Sequence, residues 1–67
     1  MDGKYAKLSL PGKAITCRTN IPVWKALEEN HIQVSSYLVA RNGILITEDE
    51  LVKPGDIIEL IPVISGG

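Results

Sequence analysis

Few side chains in this 67-residue sequence could do chemistry, and they are widely spaced. The chain has one cysteine, Cys17, and one histidine, His31. Cys17 has no histidine or basic cluster near it in the sequence, so we interpret it as a small buried hydrophobic residue, not a nucleophile or persulfide carrier. His31 has no partners at metal-ligand spacing, so we expect a helix C-terminal contact or simple exposure. Neither residue predicts side-chain catalysis or a metal site.

The last three residues offer a different kind of chemistry. Ser65-Gly66-Gly67 follow the apolar run IIELIPVI directly, and two glycines can hold neither a strand nor a helix because their backbone is so little restricted. The segment from Val63 to Gly67 can extend roughly 17 Å, which is enough to enter a narrow slot in another protein. Such an end suits a terminal carboxylate that itself reacts, since no side chain obstructs it. The alternative is a frayed or truncated end, because glycines are common in disordered termini.

Length and charge limit the classes of protein that this chain could be. A chain of 67 residues predicts one domain, residues 1–67, without room for a large enclosed pocket. The net charge is −1 and the seven basic residues are scattered, so we expect no nucleic-acid partner. We also expect no internal disulfide and no membrane segment, because there is one cysteine and no long apolar stretch or signal segment. These features predict a cytoplasmic protein.

The first half of the sequence predicts a hairpin followed by one helix. KYAKLSL and AITCR flank a Pro-Gly pair, which is typical of a turn between two strands. The next segment, PVWKALEEN, has one apolar stripe at helical spacing and predicts two to three helical turns that end near Asn30. We expect Thr19 or Asn20 to cap this helix, and Pro22 is compatible with its first turn.

The second half predicts another hairpin and a final strand. Asn42-Gly43 lies between two apolar runs, and these are the residues that a type I′ turn favours. TEDEL predicts a single helical turn capped by Thr47, and KPGD predicts a further turn. IIELIPVI is apolar and β-branched, as a largely buried strand requires. We therefore predict an α+β fold of the β-grasp type, a mixed sheet of four to five strands with one helix packed on one face.

One helix can cover only one face of this sheet, which leaves the other face for solvent or a partner. If the helix buries Ile58 and Leu60, alternation places Ile61 and Val63 on or near the open face. We expect Tyr37, Val39 or Arg41 from a neighbouring strand to lie beside them. Exposed apolar area on so small a domain is typical of a binding surface. The alternative is a core that wraps round the end of the sheet.

The order of these motifs resembles the small sulfur-carrier proteins of the ThiS and MoaD type, which are relatives of ubiquitin in fold. The resemblance covers nearly the whole chain: the opening hairpin, the single helix, the Val-Ala-x-Asn-Gly hairpin, the Gly-Asp turn and the apolar strand that ends in Gly-Gly. The sequence departs from the pattern at Pro22, at Pro62 and at Arg41, where the family usually has an apolar residue.

The resemblance implies that the chain is not an enzyme but the substrate of one, with no cofactor or metal. A ubiquitin-activating-type adenylyltransferase would adenylate Gly67, and sulfur from a donor such as a cysteine desulfurase would convert it to a thiocarboxylate. A synthase, either thiazole synthase or the molybdopterin synthase large subunit, would then accept the sulfur. Gly66 and Gly67 would be the reacting end, and residues 64–67 a flexible tail on a protein that is a monomer when alone. The implied partner-binding residues are Ile61, Val63, Ile64, Ser65, Val39 and Arg41.

Several related functions remain open on sequence alone. Compactness favours thiamine thiazole synthesis, while molybdopterin synthesis and tRNA thiolation use the same kind of carrier. A ubiquitin-like modifier, joined to target lysines through Gly67, would need the same activation. The third alternative is a plain β-grasp interaction module, in which the C-terminal residues have no function.

Overall fold

The computed structural model describes residues 4–64, which form a five-stranded mixed sheet and one α-helix. The elements in chain order are β1 (Tyr5–Leu10), β2 (Lys13–Arg18), α1 (Val23–Glu29), a 3₁₀ turn (Val34–Ser36), β3 (Tyr37–Arg41), β4 (Ile44–Ile46) and β5 (Ile57–Pro62). The strand order is β2-β1-β5-β3-β4, with β1 parallel to β5 and the other neighbours antiparallel. This architecture confirms the predicted α+β, β-grasp fold. Within residues 4–64, no helix combines the length and apolar character that crossing a membrane requires.

Both predicted hairpins are present, and their turns have the backbone geometry that the sequence indicated. Asn42 and Gly43 have φ angles of 55° and 78°, so both central residues lie in the left-handed region, as a type I′ turn requires. Gly12 has a φ of 83° in the Pro11-Gly12 turn between β1 and β2. Glycine is the residue that takes such an angle without steric cost. The turn residues therefore set the register of both hairpins.

The core lies between α1 and one face of the sheet. The helix buries Val23, Ala26 and Leu27, as its apolar stripe predicted. The sheet contributes buried side chains from four strands: Ala6, Leu8, Cys17, Val39, Ile58 and Leu60. Ile58 and Leu60 thus lie under the helix, so the condition on which the prediction for Ile61 and Val63 depends is met. β5 is the middle strand of the sheet and is hydrogen-bonded to β1 on one side and to β3 on the other.

The predicted side-chain cap of the helix is wrong. Pro22 occupies the N-cap position and no side chain caps α1. Instead, the backbone N–H groups of Val23 and Trp24 donate to the carbonyl oxygens of Glu50, at 2.9 Å, and Glu48, at 3.1 Å. Proline at the start of the helix has no N–H to satisfy, and the loop opposite supplies the acceptors that the first turn lacks.

The segment TEDEL forms a turn and not the predicted turn of helix. The Glu50 N–H donates to the Thr47 carbonyl at 3.2 Å, and Leu51 then forms an isolated antiparallel bridge with Pro22. The carbonyls of this segment accept hydrogen bonds from the start of α1, which a continuing helix would use internally. Thr19, one of the two expected caps, donates its hydroxyl to the Lys4 carbonyl at 2.9 Å instead.

Candidate functional site

The face of the sheet that α1 does not cover carries a group of apolar side chains, which we call the open-face patch. Its members are Leu38, Leu45, Ile57, Ile61 and Val63, all exposed except Ile61, which is half-buried. The register places Ile61 of β5 directly opposite Leu38 of β3, so the two side chains are neighbours. Monomers seldom expose apolar residues in such a cluster without a partner for them. The patch is therefore a candidate binding surface.

The patch is continuous with the C-terminal end of the chain. The Val63 N–H donates to the Ser36 carbonyl at 3.0 Å, which extends the pairing between β5 and β3 by one residue. Val63 is exposed on the same side as Ile61, as alternation predicted, and Ile64 is 94% exposed. Ser65, Gly66 and Gly67 lie outside the described residues. The partner-binding roles expected of Ile61, Val63, Ile64 and Ser65 stay predictions. The chemical role expected of Gly66 and Gly67 also stays a prediction.

The expectation that Val39 faces the open side is wrong. Val39 is opposite Leu60 in the register and is only 6% exposed, so it lies in the core beneath α1. Its neighbours in sequence, Leu38 and Ala40, are the residues of β3 on the open side. Tyr37, opposite Pro62 and two residues before Val39, also packs against the core, so the same expectation for Tyr37 is wrong. Because both sides of β3 are apolar, alternation along this strand does not distinguish its two faces. The apolar pairing of Leu38 with Ile61 was the signal that could have corrected the choice.

Arg41 also lies on the helix side of the sheet, at its end, and it contacts the chain itself. Its Nε donates to Asp56 Oδ2 at 3.1 Å and its Nη2 to the Leu51 carbonyl at 2.8 Å, while Nη1 is 3.7 Å from Glu50 Oε1. Asp56 Oδ2 also accepts the backbone N–H of Lys53 at 2.9 Å. Arg41 therefore ties the segment 50–56 to the end of β3, and the expectation that it faces the open side is wrong.

We expect Arg41→Met to reduce the free energy of unfolding by about 1.5–3 kcal/mol, because hydrogen bonds to charged groups contribute this much and Asp56 would lose its cation. Urea unfolding followed by far-UV circular dichroism measures the loss. Arg18→Met is the matched control, since Arg18 pairs with Glu29 on the exposed surface. Exposed ion pairs contribute little, so the control should lose less. Equal losses in the two variants would contradict a special role for Arg41.

Cys17 is buried in the core, which confirms its interpretation as a small hydrophobic residue. Burial, and to a smaller degree the negative charges of Glu29 and Asp56, raise the pKa of its thiol. A raised pKa reduces the thiolate fraction at neutral pH, and the thiolate is the nucleophilic form. Burial and a raised pKa therefore both disfavour Cys17 as a nucleophile.

The raised pKa of Cys17 predicts a pH dependence of stability with a definite sign. The folded state favours the neutral thiol, so stability is unaffected below the unfolded pKa of about 8.5 and falls as pH rises from there through the higher folded pKa. Urea unfolding at several pH values, compared with Cys17→Ala, isolates this effect. As pH rises above the unfolded pKa, we expect the wild type to lose free energy of unfolding relative to Cys17→Ala. A difference that does not change with pH would contradict the raised pKa.

His31 is exposed just after α1, as one of the two expectations for it stated. Its backbone has a φ of 61° and its N–H donates to the Glu28 carbonyl at 3.0 Å, so it helps to end the helix. Among residues 4–64 there is no group of three or more metal-ligating side chains that could hold an ion.

The fold and the site together define the class of protein. A mixed five-stranded sheet with one helix on one face, and with an apolar open side that leads to a Gly-Gly end, is a β-grasp domain. The family model of the ThiS family matches residues 7–67, which is nearly the whole chain, so the chain belongs to the ThiS family. Members of this family are small sulfur carriers rather than enzymes, and membership implies interaction with adenylyltransferase and synthase partners. The resemblance seen in the sequence is thereby confirmed.

Proposed function

We propose that this sulfur carrier holds sulfur as a thiocarboxylate on Gly67. An adenylyltransferase joins the Gly67 carboxylate to AMP from ATP and releases pyrophosphate. The terminal sulfur of a persulfide, supplied by a donor such as a cysteine desulfurase, then attacks the activated carbonyl and displaces AMP. A second thiol then attacks the donor cysteine's sulfur in the resulting acyl disulfide. It forms a disulfide with that cysteine and releases the Gly67 thiocarboxylate. The carrier supplies no catalytic group, and Gly66 and Gly67 are its reacting end.

The observation that carries this proposal is the ThiS family match, which extends through the Gly-Gly end to residue 67. The described part of the chain supports it. β5 is paired on both sides and Val63 is still hydrogen-bonded to Ser36, whereas Ile64 is almost fully exposed. In this proposal residues 1–67 form one domain, a monomer of the cytoplasm, and residues 64–67 are the arm that delivers the terminal atom by proximity.

We propose that the open-face patch receives the partners through Ile61 and Val63, with Ile64 and Ser65 guiding the arm. The sulfur of the Gly67 thiocarboxylate would go to thiazole synthase, which builds it into the thiazole of thiamine. The short chain favours this acceptor over the molybdopterin synthase large subunit. A complementation experiment tests this choice. A strain that lacks its own thiazole sulfur carrier is made to express the present chain, and its growth is measured in medium without thiazole.

Intact-protein mass spectrometry tests the thiocarboxylate directly. The purified chain is incubated with ATP, the adenylyltransferase of the same organism, a cysteine desulfurase, cysteine and a thiol reductant. We expect a mass gain equal to the exchange of one oxygen for one sulfur, located at Gly67 by fragmentation. Reactions without ATP or without the desulfurase are the controls. Conjugates of higher mass with an unchanged free carrier would favour a protein modifier instead.

A further inference from the structure

The centre of the open face holds a carboxylate that the fold does not use. Glu59 lies on β5 between Ser9 of β1 and Ala40 of β3, and it is exposed. Both neighbours in the row have small side chains, so little covers the carboxylate. Glutamate is disfavoured in central strands, and nothing in the packing of α1 requires it at this position.

Apolar side chains surround this carboxylate. Ile57 and Ile61 precede and follow it on the same side of β5, and Leu38 is opposite Ile61. Leu45 is opposite Ala40, one strand beyond Glu59. A partner that covers the open-face patch therefore also covers Glu59 and removes its carboxylate from water. A desolvated carboxylate is costly unless the partner provides a cation or hydrogen-bond donors for it.

Within residues 4–64 no cation neutralises Glu59. In the part of the chain that the structure describes, Glu28, Glu29, Glu50 and Asp56 form ion pairs, and Glu59 forms none. Lys7 is the basic residue of the open face nearest in register, opposite Ile57 and therefore diagonal to Glu59, yet the two are not paired. The charge is available to a group from outside.

Two shallow hollows flank the carboxylate and indicate the size of that group. One, of about 270 Å³, is lined by Ser9, Asn42, Gly43, Ile57 and Glu59. The other, of about 200 Å³, is lined on the opposite side by Ser9, Pro11, Glu59, Ile61 and Pro62 among others. Both are smaller than the roughly 300–1,000 Å³ that sites for small molecules enclose. They suit the end of one long side chain, whose aliphatic part would lie on an isoleucine.

We infer that Glu59 selects the partner of the open-face patch by its charge, and that this partner is the adenylyltransferase. The matching surface of the adenylyltransferase presents one arginine or lysine surrounded by apolar side chains. The cation pairs with the Glu59 carboxylate, and the Ser9 hydroxyl accepts a further hydrogen bond from it. The inference rests on the proposed function, because the adenylyltransferase must hold the body of the carrier while it acts on Gly67. Ile61 and Val63 make the surface continuous with that end of the chain.

A second copy of this chain is a poor occupant of the same surface. A two-fold interface centred on the patch would bring the Glu59 carboxylates of both copies close to the symmetry axis. Two unpaired like charges at a desolvated interface repel each other, which opposes self-association. The charge pattern therefore favours a different protein with a complementary cation.

Binding measurements without ATP or sulfur donor test this inference. We expect Glu59→Gln to raise the Kd for the adenylyltransferase by about 30-fold or more, as the loss of one partner of a buried ion pair does. Glu59→Lys should raise it further, and the wild-type Kd should depend on salt more steeply than that of Glu59→Gln. Glu28→Gln and Glu28→Lys are the controls, since Glu28 is an exposed carboxylate on α1. These controls should bind like the wild type.

A charge-swap experiment identifies the contact. Surface arginines and lysines of the adenylyltransferase are changed to glutamate one at a time, and we expect one of these variants to restore binding to Glu59→Lys. Unchanged Kd values for both Glu59 variants, or equal losses in the Glu28 controls, would overturn the inference. A loss of binding to the synthase alone would overturn the choice of partner.

The result separates this inference from the proposed function. If the wild type binds with the expected dependence on Glu59 but never gains sulfur, the proposed thiocarboxylate is wrong and the charge contact stands. If the wild type gains sulfur and the Glu59 variants bind equally well, the inference alone fails. Thermal unfolding of each variant establishes that it is folded, which the exposure of Glu59 leads us to expect.

Discussion

Removal of Gly66 and Gly67 is expected to abolish sulfur loading while the body of the carrier still binds its adenylyltransferase. The shortened chain ends at Ser65, so its carboxylate is withdrawn by roughly 7 Å from the position of the natural one. Misplacement of a reacting group by even 1 Å can reduce a rate on the order of 100-fold, so we expect a rate of adenylation at least that much lower. ATP–pyrophosphate exchange measures adenylation, and intact mass measures sulfur gain.

The matched control for this deletion is the removal of Asp2 and Gly3, which shortens the other end of the chain by the same two residues and keeps Ser65 and both glycines. It should load sulfur at nearly the wild-type rate. Binding of the deleted protein to the adenylyltransferase should be close to that of the wild type, since the open-face patch and Glu59 are unchanged. A deleted protein that gains sulfur normally would show that the reacting group lies elsewhere in the chain. A deleted protein that no longer binds would place the main contact in the tail instead of the sheet.

The parts of the fold that the sequence predicted correctly depend on local signals. Asn42-Gly43 takes a conformation that few other residue pairs adopt, so the turn type and the pairing of β3 with β4 follow from two residues. Alternation along β5 correctly separates Ile58 and Leu60 from Ile61 and Val63, so that with the first pair under the helix the second pair lies on the open side. Glu59 belongs to the same open side.

The features that the sequence did not predict depend on contacts between distant segments. The start of α1 is satisfied by carbonyls of Glu48 and Glu50, about 25 residues further along the chain, and no local cap could indicate this. Alternation could not orient β3 because both of its faces are apolar, and the charge of Arg41 is paired with Asp56 at the end of the sheet. In both cases a polar group finds a partner that only the tertiary structure brings near it.

A leucine-to-alanine substitution should reduce stability on the helix side of the sheet and partner binding on the open side. Leu60 on β5 is 1% exposed, in the core under α1, and Leu38 on β3 is 48% exposed on the open face. Leu60→Ala removes buried methyl groups and leaves a cavity, which costs about 2–5 kcal/mol. A domain of this length has a total stability of roughly 3–10 kcal/mol, so this variant should lose a large fraction of its stability. Urea unfolding of both variants measures the difference.

Leu38→Ala is the matched control, because it makes the same change on the neighbouring strand and leaves the core intact. We expect it to change the free energy of unfolding by about 0.5 kcal/mol or less, as surface substitutions usually do. It should instead weaken binding to the adenylyltransferase, since it removes apolar area from the open-face patch beside Ile61. Leu60→Ala, under conditions where it remains folded, should bind normally. If Leu38→Ala were to lower stability as much as Leu60→Ala and leave binding unchanged, the open face would belong to the core, and the patch would not be the surface on which partners dock.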